Sequence, residues 1–256
     1  MKSVITVRVA GLAVSAFAAL AAAQPTDSFH ITQIEQVIRS VNGDSTKQAI
    51  QLRMRSFGQQ FMASARVIVR DAAGANPIIV KDMTTNCSSG NPGDHVLICS
   101  AAFAASTTPV TVPDYTITNP IPASYFAAGR LTFEDDFGTI YWSLSWGGAA
   151  YTGPTTGSIT NDADGIFGPS VSFQLPSSGA QAMRFTGTLS APSTNNAADY
   201  ALTSGATTWV NNAGASFTLS AGPAPCYPNC DNSTVAPTLN ANDFQCFLNL
   251  FATGCR

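Results

Sequence analysis

The sequence predicts an all-β chain: an antiparallel β-sandwich body followed by a small, disulfide-stapled loop–helix tail. Three observations carry this. From Phe29 to Ala221 short runs with apolar residues at every second position are separated by Gly, Asn, Asp, Pro and Ser, the pattern of strands and turns. Helical periodicity is nearly absent from that stretch. After the run Ala221-Gly222-Pro223-Ala224-Pro225, which reads as a linker, four of the six cysteines follow.

Residues 1–23 stand apart from the fold. Lys2 and Arg8 precede an apolar stretch from Ala10 to Leu20, and Ala21-Ala22-Ala23 supplies small residues for cleavage. That order is a secretory signal peptide, too short in its apolar part for a comfortable membrane span. The expected mature N-terminus is Gln24, and the expected location is extracellular or at the cell surface. A net charge of −3 with only 11% charged residues argues against nucleic acid and anionic membrane as partners. Cysteines in an exported chain read as disulfides rather than redox or zinc sites. Only His30 and His95 are present, and neither has zinc-finger spacing to a cysteine pair.

Along the body, "HITQIEQVI", "QAIQLRMRS", "ARVIVRDA", "HVLICSAA", "GRLTFED", "TIYWSLSW", "SVSFQL", "AMRFTGTL" and "ASFTLSA" read as strands. In "QAIQLRMR", Ile50, Leu52 and Met54 face one way, and Gln51, Arg53 and Arg55 face a wet side. "RLTFEDDFGTIYWSLSW" reads as a hairpin with its turn over Glu134–Gly138. A short helix is expected over Pro122–Ala128, ended by Gly129. Cys87 and Cys99 are close enough in sequence to close a hairpin-sized disulfide loop.

Catalytic chemistry finds little to work with. No G-x-S-x-G elbow exists, and His95 in "GDHVLICS" has no adjacent nucleophile in its stretch. Glu134, Asp135 and Asp136 read as a solvated turn, since neighbours at a hairpin tip cannot face each other across a cleft. Asn161, Asp162, Asp164 and Gly165 resemble the opening of a calcium loop, but no acidic residue closes it, and an Asp-Gly turn explains them equally. Trp142 and Trp146 share one strand face opposite Tyr141. They fit a core, or alternatively a ligand platform on which a sugar ring stacks.

The stretches "HITQIEQV", "QAIQLRMRSFGQ", "ARVIVRDAAG" and "GDHVLICS" resemble the lamin-tail domain over Phe29 to Trp146. That family is an immunoglobulin-like sandwich whose Gln/Glu-rich first strand leads to an "IEL" strand and a Gly-Asp-x-x-Leu strand. Here "IQL" replaces "IEL", and the Leu-x-Gly-Trp segment is missing. The resemblance implies an immunoglobulin-like body without an established catalytic centre.

The tail is read from its ligand spacing. Asn229, Asp231 and Ser233 occupy positions one, three and five of a calcium loop. Thr238 offers a backbone carbonyl and Asn240 a side-chain oxygen, while Asp243 closes the site and starts a helix. Phe244, Phe247, Leu248 and Phe251 then form an apolar helix face, and Gly254 stops it. Disulfides Cys230–Cys246 and Cys226–Cys255 are expected to staple this segment, which is too small to hold together by burial alone. "CYPNCDNST" and "LNANDFQCFLNLFATGC", over Cys226–Cys255, resemble the GC-type dockerin domains of exported bacterial proteins. Dockerins generally carry two loop–helix units and bind a cohesin partner with calcium. This chain has one unit, Asn232 where glycine is usual, and the insertion Val235-Ala236-Pro237. The combined expectation is an exported, non-enzymatic β protein anchored to a cohesin-like or other surface scaffold, with calcium in the tail. The alternative is a carbohydrate-binding protein or polysaccharide-degradation accessory using Trp142 and Trp146.

Overall fold

The computed structural model describes residues 31–157, 165–179, 181–205, 207–219, 243–245 and 247–248. The expected signal peptide (1–23), the expected linker (221–225), the Asn161–Asp164 stretch and most of the expected tail lie outside these.

The described chain is all-β. In order it forms β1 (Thr32–Ile38), β2 (Ala49–Met54), β3 (Ala65–Arg70), β4 (Ile78–Met83), β5 (His95–Cys99), β6 (Thr107–Thr108) and β7 (Tyr115–Thr116). There follow β8 (Gly129–Asp135), β9 (Ile140–Trp146), β10 (Met183–Phe185), β11 (Tyr200–Leu202), β12 (Thr208–Val210) and β13 (Ser216–Leu219), with two one-turn helices, α1 (Ala101–Ala104) and α2 (Asn196–Asp199). The strands form a six-stranded sheet ordered β11-β10-β1-β2-β5-β7, a four-stranded sheet β4-β3-β8-β9, and a three-stranded sheet β12-β13-β6. Pairing is antiparallel except for the short β5–β7 pair.

One core takes side chains from both larger sheets. Ile34, Val37, Ile50, Leu52 and Met54 come from the first, and Val67, Val69, Leu131, Phe133, Trp142, Leu144 and Trp146 from the second. The period-two reading of β2 holds on this side. Its other face is not wet, because the third sheet lies over it and makes a second core from Ile38, Ala49, Leu97, Cys99, Phe103, Trp209, Phe217 and Leu219.

Two glutamines tie that third sheet to the strands beneath. Gln36 donates through Nε2 to Thr208 O at 2.9 Å, and Val210 N donates to Gln51 Oε1 at 2.6 Å. A bulge between Ile34 and Gln36 makes this possible. It inserts one residue without a partner of its own, so Glu35 and Gln36 both leave the core face while Ile34 and Val37 stay on it. The same logic recurs at Gln33 and Gln48. Gln33 donates to Thr188 O and Ala191 O, and Gln48 exchanges two bonds with the backbone of Ile121. These glutamines are buried, and each gives a crossing coil segment the partners that a ladder would otherwise supply.

The outer edges of the four-stranded sheet are also closed. Thr118 N and Asn119 N both reach Val80 O on β4, and Asn119 Nδ2 reaches Ile79 O. On β9, the side chain of Asn196 accepts from Ser145 N and donates to Ser143 O, standing in for a residue of a neighbouring strand.

Several expectations are corrected. The segment Ser170–Leu175 forms an isolated bridge at Val171 instead of a strand. The helix expected over Pro122–Ala128 is a single 3-10 turn at Ala123–Tyr125, and Gly129 opens β8. Gly129 is required there because a Cβ would sit 2.8 Å from Arg70 O and 2.9 Å from the Trp146 ring.

The Cys87–Cys99 disulfide is not formed; both residues are free thiols. Strand parity is the reason. Val96 and Ile98 of β5 point into the first core and Leu97 and Cys99 into the second, whereas Cys87 packs against the first. The two sulfurs therefore face opposite sides of one sheet. Cys87 Sγ instead lies 3.5 Å from Tyr115 Oη. Burial pushes the Cys87 thiol up to about 11 and Cys99 up to about 12. Because the thiolate is the nucleophile, a two-unit rise lowers reactivity about hundredfold at neutral pH. Iodoacetamide is therefore expected to leave both residues unlabelled in the folded protein and to label both after unfolding. A Cys87–Cys99 peptide in a non-reducing digest would contradict this assignment.

Candidate functional site

The paired tryptophans are not a platform. Trp142 and Trp146 are both fully buried. Trp142 Nε1 donates to Tyr200 Oη at 2.8 Å, and Tyr200 Oη donates onward to Ile34 O, so the indole joins β9 to the opposite sheet. Trp146 Nε1 donates to Tyr125 O. Phe185 meets Trp142 edge-on with ring centres 5.3 Å apart. The shared face of the two indoles is the core face, which removes the surface that the carbohydrate-platform alternative needs.

The acidic triplet is also placed differently from expectation. Glu134 and Asp135 belong to β8, and the turn is carried by the residues after them. Glu134 is buried beneath Arg70 Nη1 at 2.6 Å and Arg66 Nη2 at 3.7 Å, with Thr132 Oγ1 donating to the same carboxylate. Asp135 Oδ1 accepts from Phe137 N and Thr139 N and so shapes the hairpin tip. Asp136 alone of the three is exposed.

Of the tail ligands, Asn229, Asp231, Ser233, Thr238 and Asn240 lie outside the described residues, as do Cys226, Cys230, Cys246 and Cys255. Asp243 is described. It is buried and lies in helical backbone, at the point where the sequence starts its helix. Phe244 and Leu248, one turn apart, are 65% and 41% exposed. Among the described residues no cluster of three or more His, Cys, Asp or Glu is placed to hold a metal ion.

A polar centre that the sequence did not single out lies on the outward face of the six-stranded sheet. Glu35, carried out of the core by the β1 bulge, is 1% exposed. His95 Nε2 lies 3.1 Å from its Oε2, and Gln51 Nε2 donates to the same oxygen at 2.7 Å. Arg184 Nη2 stands 3.3 Å and Arg53 Nη1 3.6 Å from Oε1. Four strands therefore converge on one carboxylate: β1, β2, β5 and β10. Burial pushes the Glu35 carboxyl upward, but the bond and charge of His95, the Gln51 bond and the Arg53 charge outweigh it and bring the pKa to about 2. The fixed anion in turn orients the imidazole, since Nε2 must present a hydrogen to it.

His95 also borders a cleft of about 370 Å³ between the β4–β5 loop and the β12–β13 turn, with Ser88, Ser89, Gly93, Asp94, Asn211, Asn212, Ala213 and Gly214. Asn212 clamps its two walls together. Its Oδ1 accepts from Ser88 Oγ and Ser89 N, its Nδ2 donates to Ser89 O and His95 O, and its backbone N–H reaches the Asp114 carboxylate. The one available sequence signal for this centre was a glutamate between glutamines in an otherwise apolar strand, "QIEQVI".

No family model and no curated protein matches this chain.

Proposed function

We propose that this is an exported, non-enzymatic β-sandwich protein, held to a cell-surface or extracellular scaffold through its dockerin-like C-terminal tail in a calcium-dependent way. The observation that carries the reading is the helical backbone of residues 243–245 and 247–248, with Phe244 and Leu248 exposed to solvent one turn apart. Two such side chains on one face are a docking stripe, and a segment of this size gains little by exposing them otherwise. The sandwich description is supported by the core shared between the two larger sheets. The dockerin resemblance implies calcium, with Asp231 and Asp243 bringing the formal charge. Two carboxylates make a weak site, on the order of 10⁻⁴ to 10⁻³ M, which suits a calcium-rich exterior.

The test uses the whole mature chain. Calcium is titrated into wild type and Asp231→Ala while helicity is followed, and capture by envelope scaffold proteins is measured with and without calcium. The expected result is a millimolar-range response that Asp231→Ala removes, and calcium-dependent capture that Phe244→Ser with Leu248→Ser removes. A calcium response unchanged in Asp231→Ala takes away the mechanism, and capture indifferent to calcium takes away the tether.

A further inference from the structure

We propose that the cleft beside His95 is a ligand site of its own, for a hydroxyl-rich ligand that presents a vicinal diol, such as a neutral sugar. The inference is independent of the tail.

The cleft is a built site. Asn212 commits its whole amide to joining the two loops, and Asp114 holds both Asn212 N and Leu97 N from behind. A ligand therefore meets walls that need little ordering on binding, which is where affinity for small polar molecules is otherwise lost. Its volume of about 370 Å³ lies within the range of small-molecule sites.

The lining leaves acceptors to spare. Asp94 uses Oδ2 for Ser89 Oγ and Asn91 N, which leaves Oδ1. Those bonds, acting against burial, hold the Asp94 carboxyl below the usual range, so it stays an anion and an acceptor. With its Nε2 hydrogen turned to Glu35, His95 leaves to the cleft Nδ1, the lone-pair nitrogen of that tautomer. Two acceptors on consecutive residues call for a ligand with two neighbouring donors. Hydroxyl groups on adjacent ring carbons supply them.

A cationic ligand could also donate twice, but the charge around the cleft does not favour one. Arg53 and Arg184 both face the single carboxylate of Glu35, so one of their two positive charges is left to offset the Asp94 carboxylate. Among the described residues, no Phe, Tyr or Trp ring lines the cleft. The sugar would be gripped by its edge hydroxyls, in contrast to stacking on an indole.

Saturation-transfer NMR on the mature chain, with a panel of neutral mono- and disaccharides at millimolar concentration, tests this. Transfer to the ring protons of at least one sugar is expected. Ala213→Trp fills the cleft from an exposed turn position whose side chain makes no bond, and should weaken binding at least about tenfold. Asp94→Asn keeps an oxygen for Ser89 and Asn91 but replaces the spare acceptor with a donor, and should have a similar effect with an unchanged far-UV spectrum. Silence from every sugar, or a signal that Ala213→Trp leaves intact, overturns the proposal. A response to guanidinium in place of sugars overturns the assignment of a diol. Loss of the calcium response in the tail bears on the tether alone.

Discussion

Asn196→Ala is expected to destabilise the protein by about 3–5 kcal/mol, among the largest effects available to a single truncation outside the apolar core. Asn196 is fully buried. Its Oδ1 accepts from Ser145 N at 2.8 Å and Ser145 Oγ at 3.0 Å, and its Nδ2 donates to Ser143 O at 3.0 Å. Alanine is at ease in the first turn of α2, so the backbone there has no reason to move. What changes is that an N–H and a carbonyl on β9 lose their partners in a place water does not reach, at about 1–3 kcal/mol each. Asn196→Asp discriminates between lost packing and lost bonding. It preserves volume and the bonds from Ser145, but it cannot donate to Ser143 O and sets a carboxylate against that carbonyl. Thermal unfolding should show both variants lowered by about 10 °C. A wild-type midpoint in either would mean that the β9 edge is satisfied in another way.

The second large effect is an acid transition centred on Glu35. Its folded pKa, about 2, lies below its ordinary value of 4.5. A depressed carboxyl stabilises the fold above the unfolded pKa, and that contribution disappears as the pH falls through the folded one. It is therefore complete above about pH 4.5, worth about 3 kcal/mol there, about 1.4 kcal/mol at pH 3, and nearly gone at pH 2. Glu35→Gln should cost about 3 kcal/mol at pH 7, because His95 and Arg53 lose the carboxylate they face. The gap between wild type and variant in urea midpoints should narrow steadily below pH 4.5. Parallel pH profiles for the two proteins would refute the assignment.

How much of this was legible in the sequence differs from strand to strand. Ile50, Leu52 and Met54 alternate with polar residues, and that pattern placed them in the core correctly. The same pattern misled on the opposite face. Gln51 and Arg53 are what a solvated face would carry, yet they bond Val210 N and Gln33, because residues 208–219 fold over them from far along the chain. Short-range periodicity has no term for such a cover. Glu134 was misplaced for a related reason. A run of three acids looks like a turn, and only the arrival of Arg70 and Arg66 from β3 makes it a strand. The twelve-residue spacing of Cys87 and Cys99 allowed a bridge, but parity within β5 forbids it. β12 was missed because "TWV" is too short to show any period, and its position is set by the amides of Gln36 and Gln51. Asn196 and Asn212 each draw their role from segments more than a dozen residues away, so no local reading could have singled them out, and Glu35 showed locally only as a glutamate between glutamines.

The manner in which the third sheet is attached has a consequence for the order in which the chain becomes structured. Every strand of the four-stranded sheet, together with β1, β2 and β5, lies before residue 147. Those segments hold most of the first core, and a chain emerging N-terminus first can close it early. Glu35, Gln36 and Gln51 then stand on an outer surface that is still open to water, and their polar groups lose nothing by waiting there. Residues 208–219 arrive last and exchange that water for Thr208 O and Val210 N. Ile38, Leu97 and Phe103 wait beside the glutamines for the same cover, and the polar side chains limit how much of that open surface is apolar. The glutamines thus give the unfinished molecule a tolerable exterior, and they keep the same side chains in service as fasteners once it is complete.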